Sequence, residues 1–482
     1  MDSELHHLTA LEQLDGLRRG EITPSELVEH YLDRIERLDA GLGAFVTVTP
    51  ERARARAADV AGLPHALPLW GLPSGDKDLW RRAGVPTRFG SRLLRDNVPD
   101  ASDELVQVLD DAGAISLGKT NTPEFGLPSY TEPLANAPAR VPYDTTLGAG
   151  GSSGGAAVAV AAGLLPLAPG SDGGGSIRIP AASNGLVGLK PSRGRIPAGA
   201  GFDSLGGFVV PGPIARTVAD AALLLDAMVD GGAYAWSTEA PAWDGGAYLN
   251  AAVRGEGRFQ LGVTTDSPWS LAYDIVLEDA PRSALDLAIR ELSAIGHGVE
   301  ELSLQPEEGY HPAFTTIWQG GASAIPVPDA ALDRVEPLTA WLIRRGREVT
   351  GAEVAKALRW VAQYERRLIT QLAAYDAVLT PALAMTPRPL GWYDAEDAER
   401  NFAQQCRFTP YTSFVNATGL PAIVLPVSAT EDGIPLGVQL IGRPGGEHVL
   451  LAIGAQLERR LRWDLRHPPQ WDADSQPRGV SG

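Results

Sequence analysis

The sequence predicts an α/β protein: a single large domain with a mixed β-sheet core covered by helices on both faces. Three observations carry this expectation. Between Trp70 and Val187, short apolar stretches alternate with segments of helical spacing. Three later runs, Ala377–Pro381, Ala422–Pro426 and Leu436–Ile441, have the length and continuous apolar character of central strands. No repeat and no flexible linker interrupts the 482 residues, so the chain reads as one domain over 1–482, although its length alone would allow two or three.

The elements follow in order. Thr23-Pro24-Ser25-Glu26 is a helix start: Thr23 caps, Pro24 suits the first helical position, and Glu26 completes a capping box. Leu27, Tyr31, Ile35 and Leu38 continue it at helical spacing, and Arg52 to Val60 reads as a second, exposed helix. Leu105 to Leu109 reads as helix, Ala114 to Gly118 as a buried strand, and Ala156 to Leu164 as an interior helix. Phe259 to Val263 is a strand, about Pro281 to Ile295 a helix, and Trp341 to Tyr375 strongly helical. The core is expected over about 65–230 and 400–460. The segment of about 232–400, rich in Trp and Gly, is expected to be the least regular and to shape the substrate site.

Bulk properties exclude several classes. A formal net charge of −18, with no basic stretch, argues against a nucleic-acid partner. Cys406 is the single cysteine, so neither an intramolecular disulfide nor a Cys-rich metal site can form. The opening Met1-Asp2-Ser3-Glu4 lacks the basic and apolar regions of a signal peptide, and the longest apolar run, Ala156 to Leu167, is too short to span a bilayer. A cytoplasmic protein without membrane association is expected.

The chemistry concentrates in two serine-glycine clusters, Gly150-Gly151-Ser152-Ser153-Gly154-Gly155 and Ser171-Asp172-Gly173-Gly174-Gly175-Ser176-Ile177-Arg178. A hydroxyl beside free backbone N–H groups supplies what acyl transfer needs, a nucleophile and a cradle for the oxyanion. No Gly-Lys-Ser or Gly-Lys-Thr follows the glycines, so this is not a P-loop, and a full G-x-G-x-x-G is absent. With eight histidines, one cysteine and no H-E-x-x-H, there is no zinc ligand set to propose. Gly150 to Gly154 does fit the G-x-S-x-G elbow of a Ser-His-Asp hydrolase. That alternative needs a later histidine, and His297, His311, His448 and His467 are the candidates.

A third segment, Gly71-Leu72-Pro73-Ser74-Gly75-Asp76-Lys77-Asp78, completes a set of ordered motifs. Together with Gly150 to Gly155 and Gly170 to Pro180 it resembles the catalytic motifs of the amidase signature family. The likeness extends through Gly185 to Arg195, Gly212 to Thr217, Phe414 to Pro421 and Gly433 to Gln439, leaving roughly 240 to 400 less well covered. The resemblance implies the family's fold and a hydrolase of carbon–nitrogen bonds that needs no cofactor and no metal. Ser176 is then the nucleophile, Ser152 (whose peptide bond is usually cis in the family) the bridge, and Lys77 the base. Gly173, Gly174, Gly175 and Ser176 would form the oxyanion hole, with Asp172, Arg178 and Ser153 as support. Phe125, Tyr130, Thr131 and Trp318 are candidates for the substrate pocket.

The implied partner is a small-molecule amide, ester or carbamate, handled by a monomer or homodimer. An amidotransferase component working within a complex is the family's other branch. Two departures stand out. Asp76 occupies a position where an apolar residue is expected, and carboxylates near Lys77 would raise its pKa, although an extended backbone turns Asp76 and Asp78 away from it. Gly173 stands where the family often has a larger residue, a change that would widen the pocket or loosen the loop.

Overall fold

The computed structural model describes residues 5–196, 204–229, 239–241 and 243–472. The N-terminal Met1 to Glu4 and the first residues of the 232–400 segment therefore lie outside the described residues. An eight-stranded mixed sheet forms the centre. Its order is Gly298–Glu301, Gln260–Val263, Ala377–Pro381, Pro435–Gly442, Ala422–Ala429, Val187–Lys190, Val210–Ala215 and, at the edge, Leu167–Asp172. The first three strands run parallel to one another, and every later pairing is antiparallel. Pro435–Gly442 is buried along its whole length, which is why its sequence runs apolar instead of alternating. Helices Asp279–Ile295, Val218–Val229 and Glu447–Leu461 pack against the sheet.

A separate three-stranded sheet places Ile115–Thr120 between Phe45–Val48 and Pro73–Lys77. Pro73–Lys77 pairs in parallel with Ile115–Thr120, and Lys77 lies opposite Thr120. The helix Pro24–Leu38 begins with the anticipated capping box: the Thr23 hydroxyl accepts from the Glu26 N–H, and the Glu26 carboxylate accepts from the Thr23 N–H.

One expectation is refined and one corrected. The stretch from Trp341 to Tyr375 is helical as expected, as two helices, Pro337–Glu348 and Gly351–Leu372. Thr350 caps the second, closing a capping box with Glu353 that apolar periodicity alone conceals. The segment 232–400 is regular where described. It supplies three of the eight central strands and five helices, from Tyr248–Arg254 to Gly351–Leu372.

Two apolar clusters result. The larger surrounds the sheet, and its fully buried helix Gly154–Ala161 follows the first glycine loop. The smaller joins helices Tyr310–Ser323, Pro337–Glu348 and Gly351–Leu372 to Phe125, Phe208 and Phe414. That second cluster walls the candidate site. Among the described residues, no helix is long and apolar enough to cross a membrane.

Candidate active site

Three chain segments meet where the small sheet abuts the edge of the large one. Lys77 ends the strand Pro73–Lys77, Ser152 lies in the loop entering helix Gly154–Ala161, and Ser176 follows the edge strand Leu167–Asp172. Lys77 Nζ donates to Ser152 Oγ at 2.8 Å, Ser153 Oγ at 2.9 Å and Ser171 Oγ at 3.0 Å. The lysine is wholly buried, whereas Ser176 is 8% exposed, so the ammonium lies at the buried end and the Ser176 hydroxyl at the open end. The Gly151–Ser152 peptide is cis. Ser152 and Ser176 line the same cavity, and the Ser153 N–H donates to the Ser176 carbonyl at 3.1 Å, tying the two loops together.

Burial pushes the Lys77 ammonium down to about 7, against the opposing attraction of Asp172. The carboxylates flanking it in sequence do not interfere. Asp76 turns to the Arg82 guanidinium, with contacts of 2.5 and 3.2 Å, and Arg82 also binds Asp110. Asp78 faces the buried Lys119, 3.5 Å away. The expectation that Asp76 and Asp78 would raise the lysine's pKa is therefore corrected: each has a cation of its own, and the carboxylate that Lys77 senses is Asp172.

Asp172 and Arg178 build the second loop from beneath. Both are fully buried, joined by guanidinium–carboxylate bonds of 2.9 and 2.9 Å. Asp172 also accepts from the Gly175 N–H at 2.7 Å and the Ile177 N–H at 3.1 Å. Arg178 reaches on to Gln439 Oε1 and Asn416 Oδ1, each at 2.6 Å, and to the Thr412 carbonyl at 3.0 Å. Burial alone would raise the Asp172 carboxyl, but Arg178, with help from Lys190 and Asn416, outweighs it and holds the group at about 2. The Thr412 hydroxyl donates to the Gly174 carbonyl at 2.6 Å, fixing the loop's tip from the other side.

This arrangement narrows the expected oxyanion cradle. The Gly175 N–H is committed to Asp172, so it points into the loop and not toward a substrate. The N–H groups of Gly173, Gly174 and Ser176 have no acceptor among the described residues. Gly175 instead serves the turn itself: its φ is +135°, and a Cβ there would lie 2.5 Å from Thr412 Oγ1 and 2.6 Å from Ile179 Cδ1. Gly175→Ala is expected to lower kcat/KM by about 100-fold with helix content unchanged by circular dichroism, the loss expected for a displaced oxyanion donor.

Phe125 and Trp318 line the cavity beside Ser152 and Ser176. Tyr130 and Thr131 do not. The Thr131 hydroxyl donates to the Gly150 carbonyl at 2.8 Å, and Tyr130 stacks on Tyr393 at 4.1 Å, so both support the first glycine loop from behind. They pack so closely that a Cβ at Gly154 would come within 2.4 Å of Thr131 Oγ1. None of His297, His311, His448 and His467 lines a cavity containing either serine; His448, for example, stacks on Trp243 at 3.9 Å. Sequence reasoning assigns no role to Ser171, Asn416, Gln439 or Thr412. The motif segments contain all of these but Thr412, which stands two residues before Phe414.

A two-sheet α/β core carrying a buried lysine under two serine-glycine loops defines a class, and comparison with known proteins identifies it. The family model described as Amidase matches residues 26–451. The chain belongs to this family, the amidase signature enzymes. It is 37% identical to the protein named Putative amidase AmiB2 of Mycobacterium tuberculosis (strain ATCC 25618 / H37Rv), over 97% of this chain and 99% of that one. It is 33% identical to the protein named Putative amidase of Synechocystis sp. (strain ATCC 27184 / PCC 6803 / Kazusa), over 94% and 89% of the two chains. Among solved structures, 6-aminohexanoate cyclic dimer hydrolase bound to its substrate superposes with a TM-score of 0.88 at 29% identity, covering 97% of this chain and 100% of that chain. The chain is thus a hydrolase of the amidase family, acting on amide carbon–nitrogen bonds.

Proposed function

We propose that the protein is a free-standing amide hydrolase that works through an acyl-enzyme on Ser176, with Ser152 and Lys77 as its proton relay. The observation that carries this is the 2.8 Å bond from a fully buried lysine to Ser152, in a cavity that Ser176 shares. Neutral Lys77 takes the Ser152 proton as Ser152 takes that of Ser176, and Ser176 Oγ bonds to the carbonyl carbon. The oxyanion is held by the N–H groups of Gly173, Gly174 and Ser176. The carbon–nitrogen bond then breaks, the nitrogen receives a proton from Ser152, and Lys77 returns one to Ser152. Water repeats the sequence on the ester to release the acid and restore all three groups. Aryl esters and carbamates fit the same route.

The alternative of a complex-bound amidotransferase component finds less support. Glutamine would bring an α-ammonium and an α-carboxylate, yet no charged side chain lines the cavities beside Ser176 among the described residues. The test is labelling with a fluorophosphonate, followed by peptide mass mapping. One adduct per chain is expected on the Ser176 peptide, prevented by Ser176→Ala together with all hydrolysis of p-nitroacetanilide. An adduct elsewhere, or turnover surviving Ser176→Ala, removes Ser176 as the nucleophile.

A further inference from the structure

Ser176 stands between two cavities of different size. The larger, about 260 Å³, is lined by Ser152 and by apolar groups including Phe125, Phe208, Val209 and Ile317. The smaller, about 60 Å³, is lined by Gly174, Gln405, Cys406 and Ser413 beneath the rings of Trp269 and Phe314. Trp318 and Leu127 line both, at the boundary between them. Gly173 lies against the indole: a Cβ on that residue would be in ordinary contact with the ring at 3.4 Å, and 2.9 Å from Val209 Cγ2. A side chain at 173 would crowd Val209 and only touch the tryptophan.

We infer that the larger cavity receives the leaving amine and the smaller one the acyl group, so that the preferred substrates are neutral amides of short acids with bulky apolar amines. This rests on the proposed relay, and the direction follows from it. When the carbon–nitrogen bond breaks, the nitrogen must be within hydrogen-bond reach of Ser152 Oγ to receive its proton. Ser152 lines the larger cavity and not the smaller, so the nitrogen and its substituents project into the larger one. The acyl chain leaves the same carbon on the opposite side, past Gly174, into the smaller space. The absence of charged lining residues in both, among those described, selects neutral groups at each end. Burying a bulky amine substituent against Phe125, Phe208 and Ile317 adds binding that ammonia or methylamine as leaving group would forgo.

Two substrate series test this. The first varies only the acid: p-nitroacetanilide against p-nitrohexananilide. The second varies only the amine, at similar basicity: N-cyclohexylacetamide against N-methylacetamide. The expected preferences in kcat/KM are at least about tenfold for the acetyl compound and roughly tenfold to a hundredfold for the cyclohexyl compound. Trp318→Ala is expected to reduce the acetyl preference to less than about threefold by joining the two spaces. Preference for the hexanoyl acid or the small amine, with the fluorophosphonate still on Ser176, overturns the assignment of the cavities and leaves the acyl-enzyme reading standing. No adduct on Ser176 overturns both.

Discussion

Lys77→Met lowers kcat/KM by roughly 100- to 10,000-fold and abolishes its decline on the acid side of neutrality, the effect expected for loss of a general base. The wild-type decline follows from the sign of the shift. Burial brings the ammonium down to about 7, and only the neutral amine accepts the Ser152 proton. The active form therefore increases as pH rises through about 7, and below that value kcat/KM falls by about tenfold per pH unit. Lys190, also wholly buried, titrates in the same range, but its ammonium is bonded to the Pro191 carbonyl and is no part of the relay. Disappearance of the acid limb in Lys77→Met, measured in pH profiles of kcat/KM, is thus the decisive readout. Ser152→Ala should fall to the same level, and the double variant no lower, because groups that act as a unit do not contribute additively. Additive losses, or an acid limb that persists without Lys77, would remove the lysine from the relay.

The parts of the molecule visible in its sequence are those specified over a few residues. The Thr23 capping box, the apolar strands Ala377–Pro381 and Ala422–Ala429, and the helix after the first glycine loop each depend on neighbours in the chain. The three catalytic candidates are visible because each sits in a motif of its own. What is hidden depends on which groups the fold brings face to face. Asp76 looks like an intruder beside Lys77 until Arg82, itself held by Asp110, turns to meet it. Tyr130 and Thr131 stand among the pocket candidates in the sequence, but packing against the first glycine loop turns them away from the cavity. Gly175 reads as an oxyanion donor because it lies among three that are free, and only the fold of the loop shows its N–H turned to Asp172. The divided cavity is least visible of all, since Trp318 reaches Gly173 from a helix far along the sequence.

Arg178→Met destabilises the fold by about 3–5 kcal/mol, the cost expected for stranding a buried partner charge. Methionine fills much of the volume but leaves the Asp172 carboxylate fully buried, with Asn416 and two backbone N–H groups as neutral partners. The lost guanidinium also frees Gln439 Oε1 and the Thr412 carbonyl, so the strand Pro435–Gly442 loses this tie to the second serine-glycine loop, while the Thr412 hydroxyl still holds the Gly174 carbonyl. Denaturant midpoints of the two proteins at neutral pH measure the loss. Acidification separates this explanation from simple loss of packing. In the wild type, Asp172 is held at about 2, below its ordinary value of 3.8, so its contribution is present above about pH 4 and is lost as pH falls toward 2. Without Arg178 the largest opposing attraction is lost and burial moves the carboxyl upward, against Lys190 and Asn416, so the variant gives up less stability than the wild type when that group is protonated. The gap between wild type and Arg178→Met should therefore narrow as pH falls from about 6 toward 2. A gap that stays constant over that range would mean that Arg178 acts through volume alone, and that its charge is not what holds the loop carrying Ser176.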